Sequence, residues 1–265
     1  MHLKLNAGAV AWLAAEAGLT SASIVLRAVP RAKAPAFEVS VNPAAALAPA
    51  SMIKLPIAAA LTRLWLEGVK RPEDRIAIDE GNMTLNDAPS PLVPGYTARL
   101  DELAFLMVTR SDNVATNVLI DVVGRGRASA FARGWGLGGT FIRRKLSGSL
   151  PLIVDREASG RNAHPASDAA LLLTRIAEDA IPGSRWLRDA LAAQEWNTKL
   201  SGGLEPGDRF AHKTGDTDEV SHDGGILELP GGARFVLVVY TALPSSPEND
   251  ARFGRFMRRL RPLLG

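Results

Sequence analysis

The chain has 265 residues, long enough for one large folded unit or two closely packed ones, and its 46% hydrophobic and 22% charged residues argue against disorder. It contains no cysteine, which excludes disulfides, thiolate metal sites and cysteine nucleophiles. Its net charge of +3 is small, and nothing in the charge pattern points to nucleic acid.

The predicted elements run from a helix over residues 6–16, stopped at Gly18, into two strands over 23–29 and 36–41. Pro30 and Pro35 bracket a turn between the strands. The longest apolar helical pattern covers 52–67, with Pro56 near its start, where a missing N–H does little harm. Further helices are expected over 100–109, 114–123, 167–179 and 184–195, so residues 50–200 read as helix and loop. Strands return over 209–214, 225–229 and 234–241, and Pro230-Gly231-Gly232 forms the hairpin between the last two.

From about Glu248 a closing helix interleaves Phe253, Phe256, Met257 and Leu260 with Arg252, Arg255, Arg258, Arg259 and Arg261. Packing on the sheet with solvated arginines is the default reading, and contact with an acidic or membrane surface is the alternative. The whole pattern predicts an α/β sandwich of three layers. Its antiparallel sheet draws strands from both chain ends and carries flanking helices. Residues 1–48 and 205–265 build this sheet lobe, and 49–204 build an all-helical lobe.

No stretch approaches the apolar length of a membrane span, and the N-terminus lacks the pattern of a signal peptide, which points to the cytoplasm. The four histidines (His2, His164, His212 and His222) have no metal-ligand spacing, so neither metal nor organic cofactor is expected.

Three strings carry the chemistry: Ser51-Met52-Ile53-Lys54, Ser111-Asp112-Asn113 and Lys213-Thr214-Gly215. Ser51 falls at a helix start, where free N–H groups favour developing negative charge, and Lys54 lies one turn later on the same face. A serine hydroxyl needs a base, and burial beside a second cation, Lys213, lets Lys54 lose its proton near neutral pH. Ser111 lies in a loop between two helices, placed to relay a proton to a leaving nitrogen. Asn113 can hold Lys54 and a substrate amide with its two-ended side chain, while Asp112 reads as a loop brace. Lys213 and the Thr214 hydroxyl suit a substrate carboxylate, and Gly215 permits close backbone approach. The N–H groups of Ser51 and Asp216 are the expected oxyanion donors. His222 and Asp223 point to opposite faces of a strand and make no dyad; His222 reads either as cleft rim or as a surface-turn histidine.

These strings resemble those of the class A β-lactamases, over Pro49-Ala-Ser-Met-Ile-Lys-Leu-Pro56, Ser111-Asp-Asn-Val-Ala-Thr-Asn117 and Lys213-Thr-Gly215. The resemblance implies the same sandwich fold and a small-molecule acyl substrate, a β-lactam or related amide or ester, acted on by a monomer. It also implies Ser51 as nucleophile, Lys54 as proton acceptor, Ser111 and Asn113 in proton transfer and binding, and Lys213 with Thr214 for the carboxylate. The family's deacylating glutamate, in a Glu-x-x-x-Asn string, belongs near Ser147 or Gly148, where no carboxylate stands. Asp155 and Glu157 are the nearest acids, but Glu157 precedes Asn162 by five positions rather than four, and delivery of Glu157 or Asp155 to the site by a rearranged loop is the alternative. The sequence therefore predicts an acylating serine hydrolase with weak β-lactam turnover. The alternatives are an esterase or D,D-peptidase-like hydrolase and a penicillin-binding sensor that stays acylated.

Overall fold

The computed structural model describes residues 5–30, 37–148 and 152–265. The turn expected between Pro30 and Pro35, and the first residue of the second predicted strand, lie outside these.

In chain order the described elements are α1 (Ala7–Glu16), β1 (Ser23–Ala28), β2 (Glu38–Val41), α2 (Lys54–Leu66), β3 (Arg75–Ala77), β4 (Thr97–Arg99), α3 (Leu100–Thr109), α4 (Asn113–Val123), α5 (Arg125–Gly134), α6 (Ala166–Ala177), α7 (Ser184–Ala192), β5 (Arg209–Asp216), β6 (Ser221–Glu228), β7 (Arg234–Thr241) and α8 (Pro247–Leu260). Five strands form one antiparallel sheet in the order β2-β1-β7-β6-β5, so the first and last strands of the chain pair in its middle. Their alternation is what makes the layers. In β7, Val236, Val238 and Tyr240 face the helical interior with Val25 of β1, while Leu237 and Val239 face the other way with Ile24 and Leu26. The second face is covered by α1 and α8 and the first by α6, giving three layers.

The hydrophobic face of α8 meets this expectation: Phe253, Phe256, Met257 and Leu260 are fully buried against the sheet. Its arginines are not simply solvated. Arg252 and Arg255 donate to the Gly18 and Ala17 carbonyls at the end of α1, and Arg258 donates to Gly202 O. Arg261 is buried in a two-pronged pair with Asp208 at 2.7 and 2.9 Å. These bonds bind α8 into the fold.

Helix α2 is buried on nearly every side, and α3, α4, α5, α6 and α7 all pack around it. Its small residues Ala58, Ala59 and Ala60 leave room for those neighbours. The helical block is not entirely helical, because β3 and β4 form a separate two-stranded ladder within it.

Candidate active site

Ser51 lies in a 3-10 turn, Ala50–Ile53, that runs directly into α2. Ala50 before it has φ +44°, a left-handed conformation that costs an alanine about 1–2 kcal/mol. Ser111, between α3 and α4, is also left-handed at φ +59°. Strained backbone at Ala50 and Ser111 shows that the surrounding structure enforces the positions of the Ser51 turn and the Ser111 loop. Around Ser111, Asp112 Oδ1 accepts the Ala115 N–H at the start of α4, which makes it the brace expected of it. Trp196 Nε1 holds the Arg110 carbonyl on the other side.

Lys54 extends from the first turn of α2 into this loop, fully buried. Its Nζ donates to Ser111 O at 2.5 Å, Asn113 Oδ1 at 2.8 Å and Ser111 Oγ at 3.0 Å. Lys213, from β5, is also fully buried and reaches the same Ser111 Oγ at 3.0 Å, with a second bond to Thr214 O. One hydroxyl therefore sits between two lysine nitrogens. Burial first, and then the charge of Lys213, holds the Lys54 pKa well below that of a free lysine, against the opposing pull of Asp112 and Asp87. Burial likewise lowers Lys213 to about 7.

Asn113 serves as a clamp within the protein. Its carbonyl takes Lys54, its side-chain amide donates to Leu85 O at 2.9 Å, and its backbone N–H donates to Asn86 Oδ1.

Strand β5 is a sheet edge, with a ladder only to β6. The hairpin closes on Thr217 N–H to Val220 O, so by antiparallel alternation Thr214 and Asp216 turn their N–H and C=O groups toward the free edge. Gly215 is required where it stands. A Cβ there would lie 3.1–3.2 Å from Met52 Cγ, Met52 N and Ser51 N. Its absence brings the Ser51 amide against β5 one residue before Asp216. Ser51, Lys54, Ser111, Asn113, Lys213, Thr214, Gly215 and Asp216 thus line one junction.

Glu157 and Asp155 do not join them. Glu157 is 80% exposed and pairs with Arg125 Nη1 at 2.5 Å; Asp155 takes Arg125 Nη2 at 2.6 Å and the Lys145 N–H at 2.7 Å. Arg125 follows α4, whose 11 residues span about 16 Å, so both acids sit at the far end of that helix from Asn113. Residues 145–148 run back along α4: Lys145 pairs with Asp121, Leu146 with the Asn117 side chain, and Gly148 N–H with Thr84 Oγ1. A Cβ at Gly148 would fall 2.3 Å from Leu85 O, the same carbonyl that binds Asn113. Ser147 and Gly148 therefore reach the site's edge, and they bring no carboxylate.

His222 is neither at a rim nor in a surface turn. Strand β6 begins at Ser221, four residues before the predicted start, and this puts His222 in the ladder and fully buried. It stacks on Tyr240 at 4.1 Å, accepts the Thr241 N–H on Nδ1 and so donates from Nε2 to Ala48 O. Burial pushes its pKa down to about 4, so it is a neutral anchor for the chain entering the Ser51 turn.

The Beta-lactamase enzyme family model matches residues 10–260. The chain belongs to that family. Its fold resembles a leucine-to-glutamate variant of PBP-A in an acyl-enzyme complex with penicillin G, at 26% identity and TM-score 0.82 over 96% of this chain and 94% of that one. It also resembles a beta-lactamase from Sphaerobacter thermophilus (24%, TM-score 0.83, 99% and 98%) and one from Xanthomonas campestris (22%, 0.84, 99% and 100%). No curated protein matches the chain. Family membership makes this chain a beta-lactamase-like hydrolase.

Two features of this family member lie outside all three strings. Lys199, 2% exposed, closes on both oxygens of Asp216 at 2.5 and 2.6 Å and on His222 O. Asp223 pairs with His212 Nδ1 at 2.8 Å, and His212 Nε2 faces Ser201 Oγ at 3.1 Å and Asn197 Oδ1 at 3.0 Å. This constellation has the outline of a serine–histidine–aspartate relay. Asn197 also holds Nε2, and its own amide donates to Gln194 O, so Ser201 shares the one ring nitrogen with a buttressed amide rather than having it to itself. The network braces the face of β5 opposite Ser51. Nothing in the sequence marked Lys199, since a lone lysine outside a motif reads as a solvated residue. Asp223 was visible, with its partner on the adjacent strand rather than beside it in the chain. Among the described residues no cluster of three or more His, Asp or Glu side chains is placed to hold a metal ion. No described helix is long and apolar enough to cross a membrane.

Proposed function

We propose that the protein is a serine hydrolase that forms an acyl-Ser51 intermediate and releases it slowly. The observation that carries this reading is the Ser111 hydroxyl held 3.0 Å from each of two buried lysines. A neutral Lys54 has two N–H groups for the Ser111 and Asn113 carbonyl oxygens, and its lone pair remains for a hydroxyl proton. It takes the proton of Ser51 Oγ as that oxygen bonds to the substrate carbonyl carbon. The oxyanion forms at the Ser51 and Asp216 N–H groups. As the C–N or C–O bond breaks, Ser111 passes its proton to the leaving atom and is resupplied by Lys54. The proton taken from Ser51 is thereby returned, and both lysines end as they began.

Deacylation needs water and a base, and the expected glutamate position carries none. Loss of a positioned base costs about 10²–10⁴-fold. The PBP-A variant that holds penicillin G as an acyl-enzyme supports penicillin as a probe of this chemistry. The missing carboxylate favours one second reading, an esterase or D,D-peptidase-like hydrolase whose natural acyl group leaves without that base. Intact-protein mass spectrometry after mixing with penicillin G tests the proposal. A single adduct that Ser51→Ala abolishes is expected, and an adduct that survives Ser51→Ala refutes it.

A further inference from the structure

The feature least expected at this site is Asp216. Thr214 and Asp216 alternate onto the same face of β5, about 7 Å apart along the strand. Thr214 is the residue offered to a substrate carboxylate, and a carboxylate needs a cation there. Both nearby lysines are committed. Lys213 turns to the other face and donates to Ser111 Oγ and Thr214 O. Lys199 lies on the Thr214 face, but Asp216 takes it with both carboxylate oxygens and His222 O takes what remains. Asp216 is fixed in that pose by Ser221 Oγ at 3.0 Å, while its side chain stays a quarter exposed at the strand end.

The wider charge pattern agrees. Lys213 acts on Lys54, against Asp112 and Asp87, and Lys199 acts on Lys213, against Asp216, Asp223 and Asp87. The largest of the charges acting on Lys213 is the Asp216 carboxylate, which therefore offsets Lys213 as well as Lys199. In effect the protein fills its own anion site: the Asp216 carboxylate occupies the cation that an incoming carboxylate would use.

We propose that Asp216 is a specificity-determining residue, and that the site prefers acyl donors with an uncharged group, rather than a carboxylate, at the Thr214 end of β5. This inference rests on the acyl-transfer reading above. It concerns only substrate recognition and leaves the bonds made and broken unchanged.

The test compares second-order rates of Ser51 adduct formation for benzylpenicillin and for its methyl ester, which differ only in that charge. In the unmodified protein the ester is expected to acylate Ser51 at least as fast as the free acid. Asp216→Asn keeps the shape, frees Lys199, and is expected to move the ratio tenfold or more toward the free acid. Lys199→Gln leaves the Asp216 charge without its cation and is expected to move the ratio the opposite way. A free acid that reacts tenfold faster in the unmodified protein overturns the proposal, and needs no variant to fold. So does an unmoved ratio in an Asp216→Asn protein with native circular dichroism. An adduct from neither compound overturns the acyl-transfer reading itself, and this inference with it.

Discussion

The junction around Ser111 and the described residues between Lys145 and Asn162 are neighbours along α4, yet they are built to opposite ends. At the junction, two buried lysines aim at one hydroxyl, and their other bonds go to neutral oxygens rather than to carboxylates. In the segment every carboxylate is already taken, Asp155 and Glu157 by Arg125. On the proposed acyl-Ser51 reading, the difference teaches that putting an acyl group on and taking it off are separable properties of this scaffold. One depends on atoms that arrive from α2, the loop before α4, and β5. The other depends on a single loop whose charges are committed elsewhere.

The largest effect that breaks this contrast is at Lys54. Lys54→Met is expected to lower the rate of Ser51 adduct formation by about 10³-fold, within the range for a lost general base, measured by time-resolved mass spectrometry. Next, a carboxylate in the segment sharpens it. Ser147→Glu is expected to raise turnover of a chromogenic cephalosporin by about 10²-fold. Gly148→Glu is not a substitute, because its Cβ meets Leu85 O at 2.3 Å and the loop must shift to admit it.

The lysines also set a pH signature for the folded state. Their pKa values are lowered on folding, so between about 7 and the ordinary lysine value the unfolded chain binds more protons than the native one. Stability is therefore lost as pH falls toward 7 and gained as it rises. The thermal midpoint is expected to climb from pH 7 to 9, with a flatter slope in Lys213→Met. The smallest effect is expected at Glu157. Glu157→Gln removes an exposed ion pair, worth about 0–1 kcal/mol, and is expected to leave turnover within twofold. A hundredfold loss would place the deacylating base there and erase the contrast.

Much of the contrast was legible in the sequence, for identifiable reasons. The helix Leu100–Thr109 and the strand Arg234–Thr241 stand at their predicted bounds, because each has a strong apolar period and a clear stop. Strand β6 was read four residues short because Ser221-His222-Asp223 is polar, and its burial comes from partners across the sheet. Helix α5 went unseen, since its arginines and glycines carry little apolar signal. The three strings announced the junction because their chemistry is local. Lys199 and His212 were silent because their roles exist only once β5, β6 and the turn at Leu200 come together. The commitment of Asp155 and Glu157 to Arg125 depends on loop geometry, which spacing along the chain does not encode.

The central claim is that acylation outruns deacylation, and the lifetime of the adduct tests it most directly. The protein is mixed with a small excess of penicillin G, and the Ser51 adduct is followed by intact mass until the free drug is gone. The account predicts that nearly all of the protein holds one adduct that outlasts the free drug. Rapid return to unmodified protein, with many drug molecules consumed per site, would contradict it.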